Sequence, residues 1–593
     1  MKTETIPARL FETAKQQGSR PAYHVKVGSD WKSTSWQGYA DEVKAAGKAL
    51  MALGFQPGGS VSILGFNRPE WVIMDVAAMA VGGAATGVYT TCSAEEVQYI
   101  VDHAESMVAL VENQNQWKKV RSQRDRLPRL KAVVAMKGAG IQDEGVLSWE
   151  EFMARGSGVS DADFLARLHA LKPDGLATLI YTSGTTGPPK GVMLTHDNLY
   201  WTATTMNSLI ASRTDDSLLS YLPLSHIAEQ MLSIHGPIVT GASIYYAESL
   251  DKVAENLKEV QPTLVFGVPR IWEKFHAGVS EKLAGATGFK KTLVDWVRQL
   301  CARKAEIENR GQKMGPGLAL KYKLANKLVL SKLKPALGLG RARICISGAA
   351  PIAKEVLEFF ATLDIAVREV YGQSEDTGPT TINIPGKTKL GSVGGLIPGI
   401  EVKIAEDGEI LVRGRNVFAG YFKEPQATAE TLIDGWLHSG DLGEFDKDGY
   451  LGITGRKKDI IITAGGKNIA PKNIEASLKN SRLIAEAVVI GDRRKFLTAL
   501  IALDEDATKN FLKEKGQSDG QPVHENDLIR AEIQAAVDEV NSHLAQVETV
   551  KKFTILSRNL TIEHGELTPT LKVKRKMVNQ NFAQQIEAMY QGG

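Results

Sequence analysis

Residues 181–191 read YTSGTTGPPKG. The apolar run just before them, LATLIY (Leu176–Tyr181), has the composition of a buried strand. The chain then enters a loop with three glycines, four small hydroxyl side chains and one lysine. Glycines let backbone N–H groups turn toward an anion with no side chain in the way. The hydroxyls of Thr182, Ser183, Thr185 and Thr186 add donors, and Lys190 adds a full positive charge. By composition this is a polyphosphate cradle. It is not the Walker loop, which needs glycine directly before the lysine and Ser or Thr after it. Here Pro189 precedes Lys190 and Gly191 follows it.

A chain of 593 residues exceeds what one hydrophobic core usually serves, so two or more domains are expected. Hydrophobic residues at 43% and charged residues at 23% describe an ordinary globular protein. A net charge of +3 is small for this length and gives no argument for nucleic acid as a partner. Cys92, Cys301 and Cys345 have no metal-type spacing, and so few cysteines point to a reduced, intracellular setting. The first residues, MKTETIPARLFETAKQQG, lack the apolar core of a secretion signal. Val72–Tyr89 is too polar for a bilayer span and reads as a buried helix followed by a Gly-rich turn. The expected location is cytoplasmic.

Outward from the loop, helix and strand patterns alternate. Apolar residues at helical spacing (Tyr39, Val43, Ala46, Leu50) predict a helix over 36–53, and strands follow at 61–65, 84–89, 107–112 and 132–136 with helices between. That rhythm predicts βαβ units, a largely parallel sheet and helices on both faces. Ligands in such sheets sit beyond the C-terminal ends of the strands, where the 181–191 loop falls. From Ser392 to Gly452 short β segments separated by turns predict a β-rich layer. The charged run GRKKD, 455–459, then predicts a hinge before a final domain of about 130 residues.

Residues 276–341 differ in character. They are helix-rich, and between Phe289 and Arg341 they hold thirteen Lys or Arg against three Asp or Glu. A solvated helical excursion accounts for this, and so does a surface for peripheral contact with anionic lipid.

Further chemistry-bearing positions are spread along the chain. Gly348-Ala349-Ala350 is a second small-residue turn after a strand-like run. In YGQSEDTG, Tyr371 offers a ring for stacking on a base, Ser374 a donor to phosphate, and Glu375 a hard carboxylate of the kind Mg²⁺ takes alongside phosphate oxygens. Asp441 in HSGDLG has the acceptors for two ribose hydroxyls, and Arg456 is a partner for ribose or phosphate. Taken singly, each has a bland alternative: Tyr before Gly is usually packing, and an Asp in SGD is usually a turn residue.

The order of the segments carries more weight than any one of them. YTSGTTGPPKG, LPLSH, SGAAP, YGQSE, SGDLG, GRKKD and the closing lysine segment LTPTLKVKRK follow one another as in the adenylate-forming superfamily. The resemblance spans about residues 10 to 580. YLPLSHIAEQ, LTPTLKVKRK and the basic helical block are most similar to long-chain and very-long-chain fatty acyl-CoA synthetases, the bubblegum-type subgroup among them.

That resemblance implies an α/β fold. A large N-terminal domain (1–457) of parallel sheets layered with helices would carry a β-rich part, and a small, mobile α+β domain (458–593) would follow. It implies ATP with Mg²⁺, a long-chain fatty acid and coenzyme A as reactants, joined through an acyl-adenylate. Delivery to an acyl carrier protein and a non-catalytic binding homologue are the alternatives. Thr182, Ser183, Gly184, Thr185, Thr186, Gly187 and Lys190 then fall to the phosphates. Gly348, Ala349, Ala350, Tyr371, Gly372, Gln373, Ser374, Asp441 and Arg456 fall to the rest of the nucleotide, and Glu375 with Ser183 to the metal. Lys572 matches the catalytic lysine, with Lys574 as its rival. Here Leu571 stands where the common Pro-Thr-Gly-Lys form has glycine. His226 is expected at the acyl pocket, Lys458 at the hinge, and Gly465, Gly466 and Lys467 along the coenzyme A channel after the small domain turns.

Overall fold

The computed structural model describes residues 4–182, 188–517, 522–569 and 571–591. Its main sheet has seven strands in the order Val146–Leu147, Ala132–Ala135, Ser106–Val111, Ser60–Leu64, Ala84–Val88, Leu176–Thr182 and Lys190–Thr195. All neighbours run parallel except the last pair, which is antiparallel. The alternation of apolar strand and amphipathic helix in the sequence is therefore the alternation of the fold. The helix Trp36–Ala52 buries Tyr39, Val43, Ala46 and Leu50, the residues whose spacing predicts it, and Ser35 caps it by accepting from the Gly38 N–H at 3.1 Å. Pro69–Ala80 is a helix nearly apolar all round and buried along most of its length, as its composition requires.

The antiparallel last pair is a departure from the sequence reading. Lys190 is not a loop residue; it opens the strand Lys190–Thr195, which folds back on Leu176–Thr182 before the helix His196–Leu209. The described ends of the 181–191 stretch therefore pair, Tyr181 with Gly191 and Thr182 with Lys190. The central residues of the stretch, Ser183, Gly184, Thr185, Thr186 and Gly187, lie outside the described residues.

A second sheet places Leu264–Gly267, Ile344–Ser347 and Val367–Tyr371 side by side in parallel, with Thr381–Ile382 and Gly395–Leu396 added antiparallel. A third pairs Ser217–Ser220, Ser243–Tyr246, Pro21–Val27 and Asp30–Ser35. The β-rich layer forms from Ile400–Ile404, Glu409–Gly414, Trp436–Phe445, Leu432–Ile433 and Leu451–Arg456, all antiparallel. Its longest strand, Trp436–Phe445, passes through HSGDLG with a bulge in which Gly440 takes a φ of 70°, so Asp441 is a strand residue.

Beyond Asp459 the chain builds cores of its own. Ile484–Ile490, Leu497–Leu503 and Val550–Ile555 form a sheet with apolar residues on both faces. One face packs Ile529, Ile533 and Val537 of the helix Asp527–Ser542, and the other packs Val578, Phe582 and Ile586. Two side-chain hydrogen bonds tie this body to the larger one among the described residues, beside an ion pair from Lys472 to Asp459 at 3.3 Å. Thr91 Oγ1 donates to the Pro569 carbonyl at 2.8 Å, and Arg270 Nη1 donates to the Ala485 carbonyl at 3.0 Å.

Candidate active site

A cavity of about 1320 Å³ lies where the strand ends of the two large sheets, the β-rich layer and the small C-terminal body meet. Thr182, Lys190, His226, Ala349, Ala350, Tyr371, Gly372, Gln373, Ser374, Glu375, Asp441, Arg456, Lys458 and Lys572 all line it. Fold connectivity explains the convergence. Tyr371 ends the strand Val367–Tyr371, Thr182 ends Leu176–Thr182, and Ala349–Ala350 follow Ile344–Ser347. Gly372 is required where it stands, because a Cβ there would lie 1.6 Å from the Gly378 carbonyl oxygen.

On the nucleoside side, Asp441 and Arg456 face each other across the paired strands Trp436–Phe445 and Leu451–Arg456. The guanidinium Nε lies 3.4 Å from Asp441 Oδ1, and Tyr371 donates its hydroxyl to Oδ2 at 3.0 Å. Burial still holds the Asp441 carboxyl above the usual carboxylate range, with Arg456 and Tyr371 pulling it down. Such an acceptor gains from two neutral hydroxyl donors, the chemistry of a ribose.

On the phosphate side, Tyr421 joins two of the predicted residues. Its hydroxyl donates to Glu375 Oε1 at 2.8 Å, and the Lys190 ammonium lies 5.0 Å from the centre of its ring. The segment around it continues the hairpin strand: Met193 N–H donates to the Gly420 carbonyl and Phe422 N–H to the Gly191 carbonyl. Tyr421 was not singled out from the sequence, since only this strand addition brings GYFK beside Lys190. Among the described residues no cluster of three His, Cys, Asp or Glu is placed to cage a metal. One carboxylate held by a neutral hydroxyl beside a phosphate site fits Mg²⁺, which usually takes one or two carboxylates and fills its shell with phosphate and water.

His226 caps the short helix Ile227–Gln230, its Nδ1 accepting from the Ala228 N–H at 3.2 Å. That bond puts the ring proton on Nε2. Burial first, and the Lys572 charge second, push its pKa down to about 4, so the ring is a neutral donor. Three residues on, Glu229 is buried and accepts from Ser220 at 2.6 Å, Ser233 at 2.7 Å and Asn67 at 3.2 Å, which pins the LPLSH turn against the sheet. An apolar arm of the cavity leads away past Ala203, Met206, Ile210, Leu218, Met231 and Phe266.

Lys572 enters from the small body. Water reaches it through the cavity, but protein surrounds the ammonium, and this enclosure lowers its pKa. The cations Arg456 and Lys472 push the same way, opposed by Asp441 and Glu375. Lys472, a second cation from the small body, also lines the cavity and was not foreseen; it lies 3.3 Å from Asp459. The turn that presents Lys572 is tight. Leu571 N–H donates to the Thr568 carbonyl at 2.8 Å, Lys572 N–H to Thr568 Oγ1 at 3.0 Å, and Thr568 N–H to the Lys572 carbonyl at 2.8 Å. Leu571 takes a left-handed φ of 59°. A glycine would adopt that conformation freely, which gives the glycine of the common motif a physical reason.

Some expected residues lie elsewhere. Gly348 is buried beside the cavity and does not line it; a Cβ there would meet Val370 at 2.6 Å, so its role is packing. Gly465, Gly466 and Lys467 are exposed on the small body, away from the cavity. Lys458, by contrast, is where it was expected in the chain, exposed in the turn between Arg456 and Ile460 at the edge of the cavity. Lys574 does not line the cavity, unlike Lys572.

Residues 10–422 match the AMP-binding enzyme family, and residues 458–593 match the AMP-binding enzyme C-terminal domain. The long-chain-fatty-acid–CoA ligase ACSBG2 of Xenopus laevis is 38% identical, over 99% of this chain and 84% of its own length. The long-chain-fatty-acid–CoA ligase FadD15 of Mycobacterium tuberculosis is 37% identical, over 99% of this chain and 97% of its own. Among solved structures, the adenylation domain of a carboxylate reductase from Mycobacterium chelonae superposes with a TM-score of 0.76. It is 20% identical and covers 99% of this chain and 91% of that one, a likeness of fold. With both parts of the chain matched and full-length relatives at such identity, the protein belongs to the AMP-binding, adenylate-forming enzymes.

Proposed function

We propose that the protein is an ATP-dependent long-chain fatty acid–CoA ligase. The carrying observation is that Lys572, Glu375, Asp441 and His226 share one cavity with an apolar arm. In the first step a fatty acid carboxylate oxygen attacks the α-phosphorus of ATP, and the bond to the β-phosphate bridge breaks. Acyl-AMP forms and pyrophosphate leaves. In the second step the coenzyme A thiol adds to the acyl carbonyl and AMP departs, leaving the thioester.

The first step brings two anions together, so positive charge must already stand where charge concentrates. Lys572 supplies it from the small body and Lys190 from the hairpin, with Arg456 and Asp441 orienting the nucleoside. His226, neutral and carrying its proton on Nε2, donates toward the acyl carboxylate without adding a competing charge. Mg²⁺ would be held by Glu375 and would neutralise the phosphate oxygens. The apolar lining supports an apolar acid over a charged one, and the names of the relatives favour a long acyl chain.

Lys458 is proposed as the pivot. Turning there would withdraw Lys572 after adenylation and carry Gly465–Lys467 to the cavity for the thiol step.

A fatty acid panel from short to very long chains, assayed for AMP release with coenzyme A, tests the reading. The expected result is a maximum at long chains. Fatty acid-dependent ATP–pyrophosphate exchange with no product on coenzyme A but product on a holo-carrier protein would favour the carrier alternative. No exchange with any acid would leave only a binding protein.

A further inference from the structure

The helix Pro316–Ala325 and the turn of wider helix after it, Asn326–Leu330, have two apolar faces. Leu318, Tyr322, Ala325 and Leu330 pack inward on Val297, Leu300 and Cys301 of the helix Gly288–Asn309. At 3.6 residues per turn, Leu320 points about 200° away from Leu318. There Leu320, Leu324 and Leu328 recur every fourth residue and are 71%, 51% and 46% exposed. A helix apolar on both sides is normally buried on both sides, and among the described residues nothing covers this outer face.

Charge indicates what covers it. Lys321, Lys323 and Lys327 alternate with the leucines and are exposed. The basic block's internal ion pairs use Lys304 and Lys334, both on Asp364, and Lys304 on Glu308. Among the described residues the three helix lysines make none. No Asp or Glu occurs between Asn309 and Lys354. Phe289, 81% exposed, stands beside Lys290 and Lys291 at the start of the supporting helix. Among the described residues no helix is long and apolar enough to cross a membrane.

We infer that this face docks peripherally on an anionic lipid surface, the leucines entering the interface and the lysines meeting the headgroups. The inference does not depend on the catalytic reading. A second copy docked through the same face would set lysines against lysines, with no acid in the segment to pair them.

Co-sedimentation of the intact protein with phosphatidylcholine vesicles, with and without phosphatidylglycerol, tests it. Binding is expected only with phosphatidylglycerol and should fall steeply with salt. Lys321→Glu, Lys323→Glu and Lys327→Glu together should weaken partitioning by about two orders of magnitude or more, given the usual effect of each basic residue near such a surface. Leu320→Ser, Leu324→Ser and Leu328→Ser together should release the protein while leaving its melting temperature and AMP release in detergent-free buffer intact. Either triple variant sedimenting like the parent would overturn the proposal. So would a parent that stays in solution, or a dimer in light scattering that the serine variant dissolves without any vesicle binding.

Discussion

Tyr421 donates its hydroxyl hydrogen to Glu375 at 2.8 Å, and Lys190 rests on the same ring. One side chain thus couples the proposed metal carboxylate to the phosphate hairpin. A hydrogen bond to a charged group is typically worth about 1.5–3 kcal/mol. Tyr421→Phe should therefore raise the Mg²⁺ concentration needed for half-maximal AMP release by about tenfold, and Glu375→Gln by more. Titration of rate against Mg²⁺ at saturating ATP checks both; unaltered metal dependence in both variants would move the metal elsewhere.

Lys572→Ala should abolish adenylation, seen as loss of ATP–pyrophosphate exchange, while leaving thioester formation from supplied acyl-AMP within a few-fold of normal. Equal loss in the two half-reactions would remove Lys572 from its role.

Enclosure and the neighbouring Arg456 and Lys472 lower the Lys572 pKa, so its proton leaves earlier as pH rises. Adenylation should accordingly decline on the alkaline side below the ordinary lysine range, and Lys572→Arg should shift that limb upward. His226, held at about 4, stays neutral across the working range and contributes no acid limb near the usual histidine value of about 6.5. A limb there that disappears in His226→Asn would contradict the assigned charge state.

Lys458→Pro fixes φ in the turn that joins the two bodies. It should slow the thiol step at least tenfold more than pyrophosphate exchange. An unchanged ratio of the two rates would place the pivot elsewhere.

Leu571 holds φ at 59° without a glycine's freedom. A left-handed conformation costs a side chain-bearing residue about 1–2 kcal/mol. Leu571→Gly should keep adenylation within a few-fold, whereas the β-branched Leu571→Val should reduce it by at least tenfold. Half-reaction rates of the two variants, compared at matched protein folding by circular dichroism, decide this.

Much of the fold was legible because burial leaves a period in the sequence. The spacing of Tyr39, Val43, Ala46 and Leu50 gave a helix to within a residue, and the apolar runs at 61–65, 84–89 and 107–112 gave strands of one parallel sheet. The strand Trp436–Phe445 was hidden, because Ser439, Gly440 and Asp441 look like turn chemistry, and only long-range pairing on both sides carries the strand through them as a bulge with Gly440 at a φ of 70°. The hairpin strand at Lys190 was hidden for the same reason: its partners are the preceding strand and residues 419–422. Motif order brought Tyr371, Glu375, Asp441, Arg456 and Lys572 onto the page, and the cavity gathers them. Tyr421 and Lys472 belong to no such string; only folding sets them beside Glu375 and Lys572.

The two hydrogen bonds from Thr91 to Pro569 and from Arg270 to Ala485 set a scale. Bonds of this kind contribute about 0.5–3 kcal/mol each, a latch that a few kcal/mol of differential ligand affinity can open or shut. On that scale, a small body turning on the proposed Lys458 pivot would be governed by what occupies the cavity. Triphosphate in the cavity would draw Lys472 and Lys572 of the small body inward, and after pyrophosphate leaves these cations would face Arg456 and each other with less to hold them. The order of the two half-reactions is then written in the charge balance of the cavity, with no need for a separate signal.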